Sequence, residues 1–303
     1  MTRTIPRGVI RTVMLIILTG GCGTLDVSDP TAIEESDIAN QTGADLLRKD
    51  AVAKLYHAVS QAAPETGVLT DEFHFPTFPD LLDARQSVEY EQSDASVTGY
   101  TLWQEVRRAA TLALPPLQAY GVKPAVQAHI GEMFAVRGLA EAALAEGFCP
   151  GFPLHDIANF NPVYGPPLTT DQVFESALAN LDSATVYAAD SVRILNFARV
   201  VRARVLLGLG KFAAAASAVE SVPTSYSWTA RYNASSFASS NINQLGFDAE
   251  PYTDKSRSVA DREGVNGLDY VTANDPRVRT TKMTGSGGTA YVLAKYPNRG
   301  API

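Results

Sequence analysis

The sequence predicts a mostly α-helical chain in which helical hairpins are followed by an irregular, loop-rich region. Three observations predict it. Apolar residues recur at helical spacing in several stretches between residues 45 and 221. Gly208-Leu209-Gly210 separates two such stretches, and Pro223 stops the second. Beyond Pro223 the period vanishes and tyrosines stand among Ser, Asn, Asp and Gly. A composition with 46% hydrophobic and 19% charged residues is that of a globular chain and excludes a disordered or collagen-like one. The net charge of −7 argues against a general nucleic-acid binder, which needs cations to neutralise phosphates. Two cysteines exclude a disulfide framework and a Cys-rich zinc site.

The first element is a signal peptide, residues 1–21. Arg3, Arg7 and Arg11 precede the short apolar run Val13-Met14-Leu15-Ile16-Ile17-Leu18, and Thr19-Gly20-Gly21-Cys22 follows. The run is far below the roughly 18 apolar residues that span a bilayer. Small residues directly before Cys22 resemble the bacterial lipobox, in which the signal is cleaved before a cysteine whose thiol forms a thioether to diacylglycerol. Thr19 departs from the usual leucine. Gly23, where an aspartate would retain the protein at the inner membrane, favours the outer membrane. Cleavage removes three arginines and leaves 22 basic against 32 acidic residues, a net charge of −10. Cys149 is then the one other thiol, so no intramolecular disulfide can form.

Residues 22–41 read as a polar membrane tether, and 42–303 as the folded domain. Thr42 and Asp45 have the spacing of a helix-capping pair. Val52, Leu55, Tyr56 and Val59 give residues 45–62 one buried face, and Pro64 and Gly67 are expected to end that helix. Residues 64–98 read as a loop in which prolines hold phenylalanines and acids. From Thr101 a second helix buries Leu102, Val106, Ala109 and Ala113, with a break or kink expected at Pro115-Pro116 and an end at Gly121. Pro124 can start a third helix along Val126, Ile130, Met133 and Phe134, with Gly147 as its C-cap. A proline-rich loop, Phe148 to Leu168, follows. Thr169 and Gln172 form a capping box before the stripe Val173, Phe174, Ala177, Leu178, Leu181 and Ala184.

Helices are then expected at about 196–208, carrying Val201, Val205 and Leu206, and at 211–221, carrying Phe212, Ala215, Ala216 and Val219. Across this pair, near 196–223, Ala203, Leu206, Leu207, Gly210, Phe212, Ala216 and Pro223 resemble a tetratricopeptide repeat. Glycine permits the tight turn, alanines permit close packing and proline ends the unit. Helices 124–146 and 170–189 can stack on it. Residues 224–303 read as irregular structure with short strands packed on the helices, with Gly285-Ser286-Gly287-Gly288 as a flexible turn.

No catalytic constellation stands out. His57, His74, His129 and His155 are scattered, and no His-Glu-x-x-His helix, Walker loop, Rossmann fingerprint or nucleophile elbow occurs. The chain is expected to be no enzyme and to need no metal or cofactor. Cys149 reads as a structural or tolerated thiol. Binding remains: Phe73, Tyr90, Tyr100, Trp103 and the Trp228 region supply rings that could face a sugar, although Trp103, one turn into a helix, reads more readily as core.

The order of the motifs carries a resemblance. The lipobox is followed by Leu25-Asp26-Val27-Ser28-Asp29-Pro30, Leu69-Thr70-Asp71-Glu72-Phe73 and Asp83-Ala84-Arg85. Then come Arg137-Gly138-Leu139-Ala140-Glu141, Ala145-Glu146-Gly147-Phe148-Cys149, Pro167-Leu168-Thr169-Thr170 and Ala203-Arg204-Val205-Leu206-Leu207-Gly208-Leu209-Gly210. In this order they are similar to the RagB/SusD family of outer-membrane nutrient-binding lipoproteins, most closely over about residues 22–223. The resemblance implies tetratricopeptide-like helix pairs and a lipid anchor on Cys22 at the outer face of the outer membrane. It also implies capture of oligosaccharides or peptides for a SusC-like TonB-dependent transporter, without catalysis. It places ligand residues loosely at Asp71, Arg85 and Trp103. It further implies additional helices after Pro302, so that the chain reads as a C-terminally truncated member. The competing expectation is a lipid-anchored tetratricopeptide-like scaffold that binds another envelope protein; a lipid-anchored hydrolase is a third.

Overall fold

A computed structural model describes residues 38–69, 72–74, 94–158, 161–235, 241–250, 257–261, 269–285 and 288–303. The chain is predominantly α-helical, in keeping with a generic helical-repeat fold. Among the described residues the five long helices are α1 (Gln41–Leu69), α2 (Asp94–Tyr120), α3 (Ala125–Gly147), α4 (Thr170–Tyr187) and α5 (Val192–Gly208). Two short ones follow, α6 (Phe212–Val219) and α7 (Gln244–Asp248). The strands are β1 (Phe73–His74), β2 (Phe152–Pro153), β3 (Asp156–Ala158), β4 (Asn161–Val163), β5 (Pro167–Leu168), β6 (Ser258–Val259), β7 (Thr280–Gly285) and β8 (Gly288–Leu293). They pair antiparallel in twos: β1 with β6, β2 with β5, β3 with β4 and β7 with β8.

The α3 helix is the axis of the bundle. Its buried residues include the consecutive run Ile130 to Met133 and the pairs Ala135-Val136 and Leu144-Ala145, so every face is covered. Helices α1, α2, α4 and α5 all pack on it. Glycines set the closest approach, that of α4. A Cβ on Gly131 would lie 2.8 Å from both the Cβ and the backbone nitrogen of Ala188, and one on Gly138 would lie 2.8 Å from Leu181 Cγ. Phe134 of α3 stacks on Tyr187 at the end of α4, with ring centroids 5.5 Å apart.

Two glutamates are buried on this axis. They are nine residues apart, which at 100° per residue points them to opposite sides of α3. Glu132, 2% exposed, accepts from Arg48 Nη1 of α1 at 2.7 Å and from Arg193 Nη2 of α5 at 2.8 Å. Glu141, fully buried, accepts from Arg107 Nε of α2 at 2.7 Å, from Arg137 Nε at 3.3 Å and from Asn180 Nδ2 of α4 at 2.9 Å. Each carboxylate therefore ties helices together through groups that cannot be left unpaired inside the protein.

The apolar stripes read from the sequence are buried: Leu102, Val106, Ala109 and Ala113 on α2, and Val173, Phe174, Ala177, Leu181 and Ala184 on α4. The Thr169–Gln172 capping box forms in both directions. Helix ends depart from expectation. Asn40, not Thr42, caps α1, its Oδ1 accepting from Gly43 N at 2.9 Å. Asp45 instead pairs with Arg48 and Lys49. Pro64 lies inside α1 and Pro115-Pro116 inside α2. A lost backbone hydrogen bond is outweighed where the flanking turns bury apolar side chains, as Leu114 and Leu117 do on α2. Gly147 is the last helical residue, and extended Phe148 is the cap.

Helix α5 begins at Val192, earlier than expected, and Gly210 turns the chain with φ +69° into α6. On α6 only Ala215 is buried; Phe212 is 69% exposed and Ala216 is exposed, so this helix covers less of its neighbour than its sequence suggested. The irregular region runs along α1. Tyr232 donates its hydroxyl to Tyr56 O at 2.8 Å, Ser60 Oγ to Ile242 O at 2.7 Å, and Gln244 N to Ser60 Oγ at 3.0 Å. Leu245, Tyr296 and Ala301 form a small core with Ala63, Phe73, Leu293 and Ile303. Ile303 exchanges both backbone hydrogen bonds with Ala230. In the β7–β8 hairpin Gly285 is paired with Gly288, the two outer residues of the expected turn.

Gly131→Ala is expected to push α4 from α3 and cost about 1–3 kcal/mol in urea unfolding. Gly147→Ala, whose Cβ would meet nothing within 4 Å, is the matched control and is expected to cost nothing measurable.

Candidate functional site

The five long helices alternate in direction, so the bundle has two distinct ends. At one end lie the start of α1, the end of α2, the start of α3, the end of α4 and the start of α5. The Arg48–Glu132–Arg193 link and the Gly131–Ala188 contact tie these together. The other end carries the α3–α4 connection, where the chain makes two nested hairpins. In the outer one Phe152 is opposite Leu168 and Pro153 opposite Pro167. In the inner one Asp156 is opposite Val163. The sequence read this stretch as loop because prolines at 153, 162, 166 and 167 break strand patterns; ladders this short tolerate them where no N–H donor is required.

These hairpins are fastened to the bundle by charge and by rings. Arg107 Nη1 donates to His155 O. Asp156 Oδ2 accepts from Arg137 Nη2 at 3.0 Å and lies 3.6 Å from Arg107 Nη2. The two arginines that neutralise Glu141 thus also hold the hairpin base. Gln104 Nε2 donates to Pro153 O at 3.2 Å and to Tyr100 Oη at 2.9 Å. Tyr100 meets Phe148 and Phe152 edge-on, with centroids 5.4 and 5.8 Å apart.

On that fastened base stands Tyr164, 76% exposed, with the His155 ring against it edge to face at 5.2 Å. Val163 beside it is 48% exposed. A Cβ on Gly165 would lie 2.5 Å from Leu154 O, so the chain passes close beneath the tyrosine. A flat ring held in water beside an imidazole can stack on an apolar face and accept or donate hydrogen bonds around its rim. Sequence reading missed Tyr164. The available signal was its position before Gly165-Pro166-Pro167, where an aromatic residue in a rigid loop has no helical face to join.

The residues expected at a site fall elsewhere. Cys22, Asp71, Arg85 and Tyr90 lie outside the described residues. Trp103, loosely placed among the ligand residues but read more readily as core, is 7% exposed and belongs to the main core, because it shares the buried side of α2 with Val106 and Ala110. Phe73 is half-buried in β1 beside Gly67. Trp228 lies over Phe197, with centroids 4.1 Å apart, and under the Arg193 guanidinium at 4.4 Å. Its Nε1 is buried and has no hydrogen-bond partner among the described residues.

Burial lowers His57 and His129 below the usual histidine range, favouring neutral rings. Cys149 is exposed. Among the described residues no group of three or more His, Cys, Asp and Glu is arranged to hold a metal, and no helix is long and apolar enough to cross a membrane. No family model matches the chain, and no curated protein matches its sequence.

Asp156→Ala removes the carboxylate that Arg137 grips. Amides of residues 152–168 are then expected to exchange with deuterium faster, while the α3 and α4 amides keep their protection.

Proposed function

We propose that this is a surface lipoprotein of the RagB/SusD kind that captures oligosaccharides or other nutrients and hands them to a SusC-like TonB-dependent transporter. The ordered motifs from the lipobox at Cys22 to Gly210 support the family, and the helical architecture agrees with it. In this reading α5 and α6, joined at Gly210, form a tetratricopeptide-like pair on which α3 and α4 stack. The observation that carries the binding role is Tyr164, exposed on a hairpin that Arg107 and Arg137 tie to the bundle. A sugar ring presents axial C–H groups to an aromatic face and hydroxyls to neighbouring polar groups, here His155. Affinity at such a site is modest, because these contacts barely exceed the cost of desolvating the hydroxyls. Catalysis has no part in this role.

The second reading, a lipid-anchored scaffold for another envelope protein, is favoured by one observation: Leu207 and Phe212 are 53% and 69% exposed around the α5–α6 turn.

The two separate in a panel experiment. The mature protein is expected to be retained on one or more oligosaccharides, and Tyr164→Ala to weaken that retention by about tenfold. Indifference to every glycan and peptide, together with capture of an envelope protein that Phe212→Asp abolishes, would replace the first reading with the second.

A further inference from the structure

We infer that the exposed side of α6 pairs with the same helix in a second copy of the chain, antiparallel about a twofold axis at Ala216. The inference does not rest on the nutrient-capture reading, whose binding role is carried by Tyr164. Phe212 is 69% exposed, and Ala213, Ala214 and Ala216 are exposed with it. No charged residue stands between Lys211 and Glu220, so this eight-residue helix meets water with Ser217 as its one polar side chain. Other exposed apolar side chains are placed differently. Leu46, Tyr120, Val122, Val186 and Val192 at one end of the bundle, and Val163 and Tyr164 at the other, come one or two at a time from separate elements. Scattered apolar residues on a surface need no explanation. Helix α6 instead offers a continuous strip on the last member of a helical stack, where a polar outer face or a cover is required.

The strip is complementary to itself. Ala203 and Leu206 of α5 meet Ala215 of α6, and Leu178 of α4 closes one side of that contact. The other side is open. Val200 and Leu207 flank it on α5, 42% and 53% exposed, and Phe212 and Ala216 flank it on α6, because equal rotations about antiparallel helices turn toward the same side. The turn between the helices is tight, so Val200 lies level with the end of α6 and Leu207 with its start. Phe212, Ala216 and Glu220 are spaced by four and follow one line along α6. A twofold axis at Ala216 then sets Phe212 of each copy against Val200 of the other. It also sets Lys211 beside Glu220 of the other copy, and neither has a side-chain partner in its own copy among the described residues. Alanine at the axis lets the helices approach closely. A foreign partner would have to present this pattern; a second copy supplies it by symmetry. A strip about 12 Å long covers well under the roughly 800 Å² per partner of stable complexes, so the pair half-associates only on the order of 100 µM.

The test uses the mature chain with Cys22→Ser and Cys149→Ser, in which no disulfide can join two copies. Sedimentation equilibrium over about 5–500 µM is expected to show the mass rising from one copy toward two. Phe212→Asp should keep the chain monomeric over that range with an unchanged circular dichroism spectrum, since the side chain it replaces is exposed. Lys211→Glu and Glu220→Lys should each weaken association at least about threefold, and the two together should restore it. Ala216→Cys in the cysteine-free chain should cross-link under mild oxidation, because a residue on the axis meets its own counterpart, whereas Ala53→Cys, exposed on α1, should not. A chain monomeric at every concentration, a dimer that survives Phe212→Asp, charge reversals that fail to compensate, or equal cross-linking at residues 216 and 53 overturns the inference. A monomer that captures an envelope protein through Phe212 overturns it as well and assigns the strip to that partner. Tyr164→Ala should leave association unchanged, so failure of the nutrient-capture reading shows separately, in glycan retention.

Discussion

Two carboxylates sit inside the bundle on opposite sides of one helix, and each must be neutralised by arginines from elsewhere in the chain. Glu132 gathers α1 and α5 through Arg48 and Arg193; Glu141 gathers α2 and α4 through Arg107 and Asn180. Apolar packing alone is tolerant of small shifts between helices. A buried charge is not, because an unpaired carboxylate or guanidinium costs several kcal/mol. The pairing therefore selects one arrangement of the helices around α3, while the glycines at 131 and 138 let α4 come close enough for Asn180 to reach Glu141.

The same charges extend outward to both ends. Arg107 and Arg137 continue from Glu141 to Asp156 and His155, and so hold the hairpins beneath Tyr164. Arg193 continues from Glu132 to the Trp228 ring and fastens the irregular region to α5, where Tyr226 also donates its hydroxyl to Arg193 O. A scaffold of this kind gives a loop rigidity without a disulfide. It also gives the molecule polarity, with the start of α1 at one end and an exposed aromatic ring at the other.

Much of the bundle was legible in the sequence because burial repeats with the helical period. The stripes on α2, α3 and α4 needed no knowledge of their partners, and neither did the capping box at Thr169 and Gln172. Helix ends were harder. Prolines 64, 115 and 116 are local signals to stop, and tertiary burial of the surrounding turns overrode them. The amphipathic reading of α6 failed at Phe212 because a short helix has one neighbour, and apolar residues on its far side have nothing to cover them. Glu132 and Glu141 could not be read as buried, since their partners are 84 and 34 residues away along the chain and a glutamate in a helix ordinarily faces water. The candidate site was legible only as a proline-rich loop. That Tyr164 and His155 meet depends on the register of hairpins whose strands are two or three residues long.

The buried pairs act as coupled units rather than as separate contributions. A double-mutant cycle on Arg107→Met and Glu141→Leu measures this directly in urea unfolding. Each single change takes the nearest partner from a buried charge, leaving Glu141 to Arg137 and Asn180 or Arg107 to Asp156 and His155 O, and each is predicted to cost about 3–5 kcal/mol. Together they replace the pair with apolar side chains of similar size, so the double variant is predicted to lose much less than the sum of the two. A double variant whose loss equals that sum would show that Arg107 and Glu141 do not depend on one another, and would contradict the account.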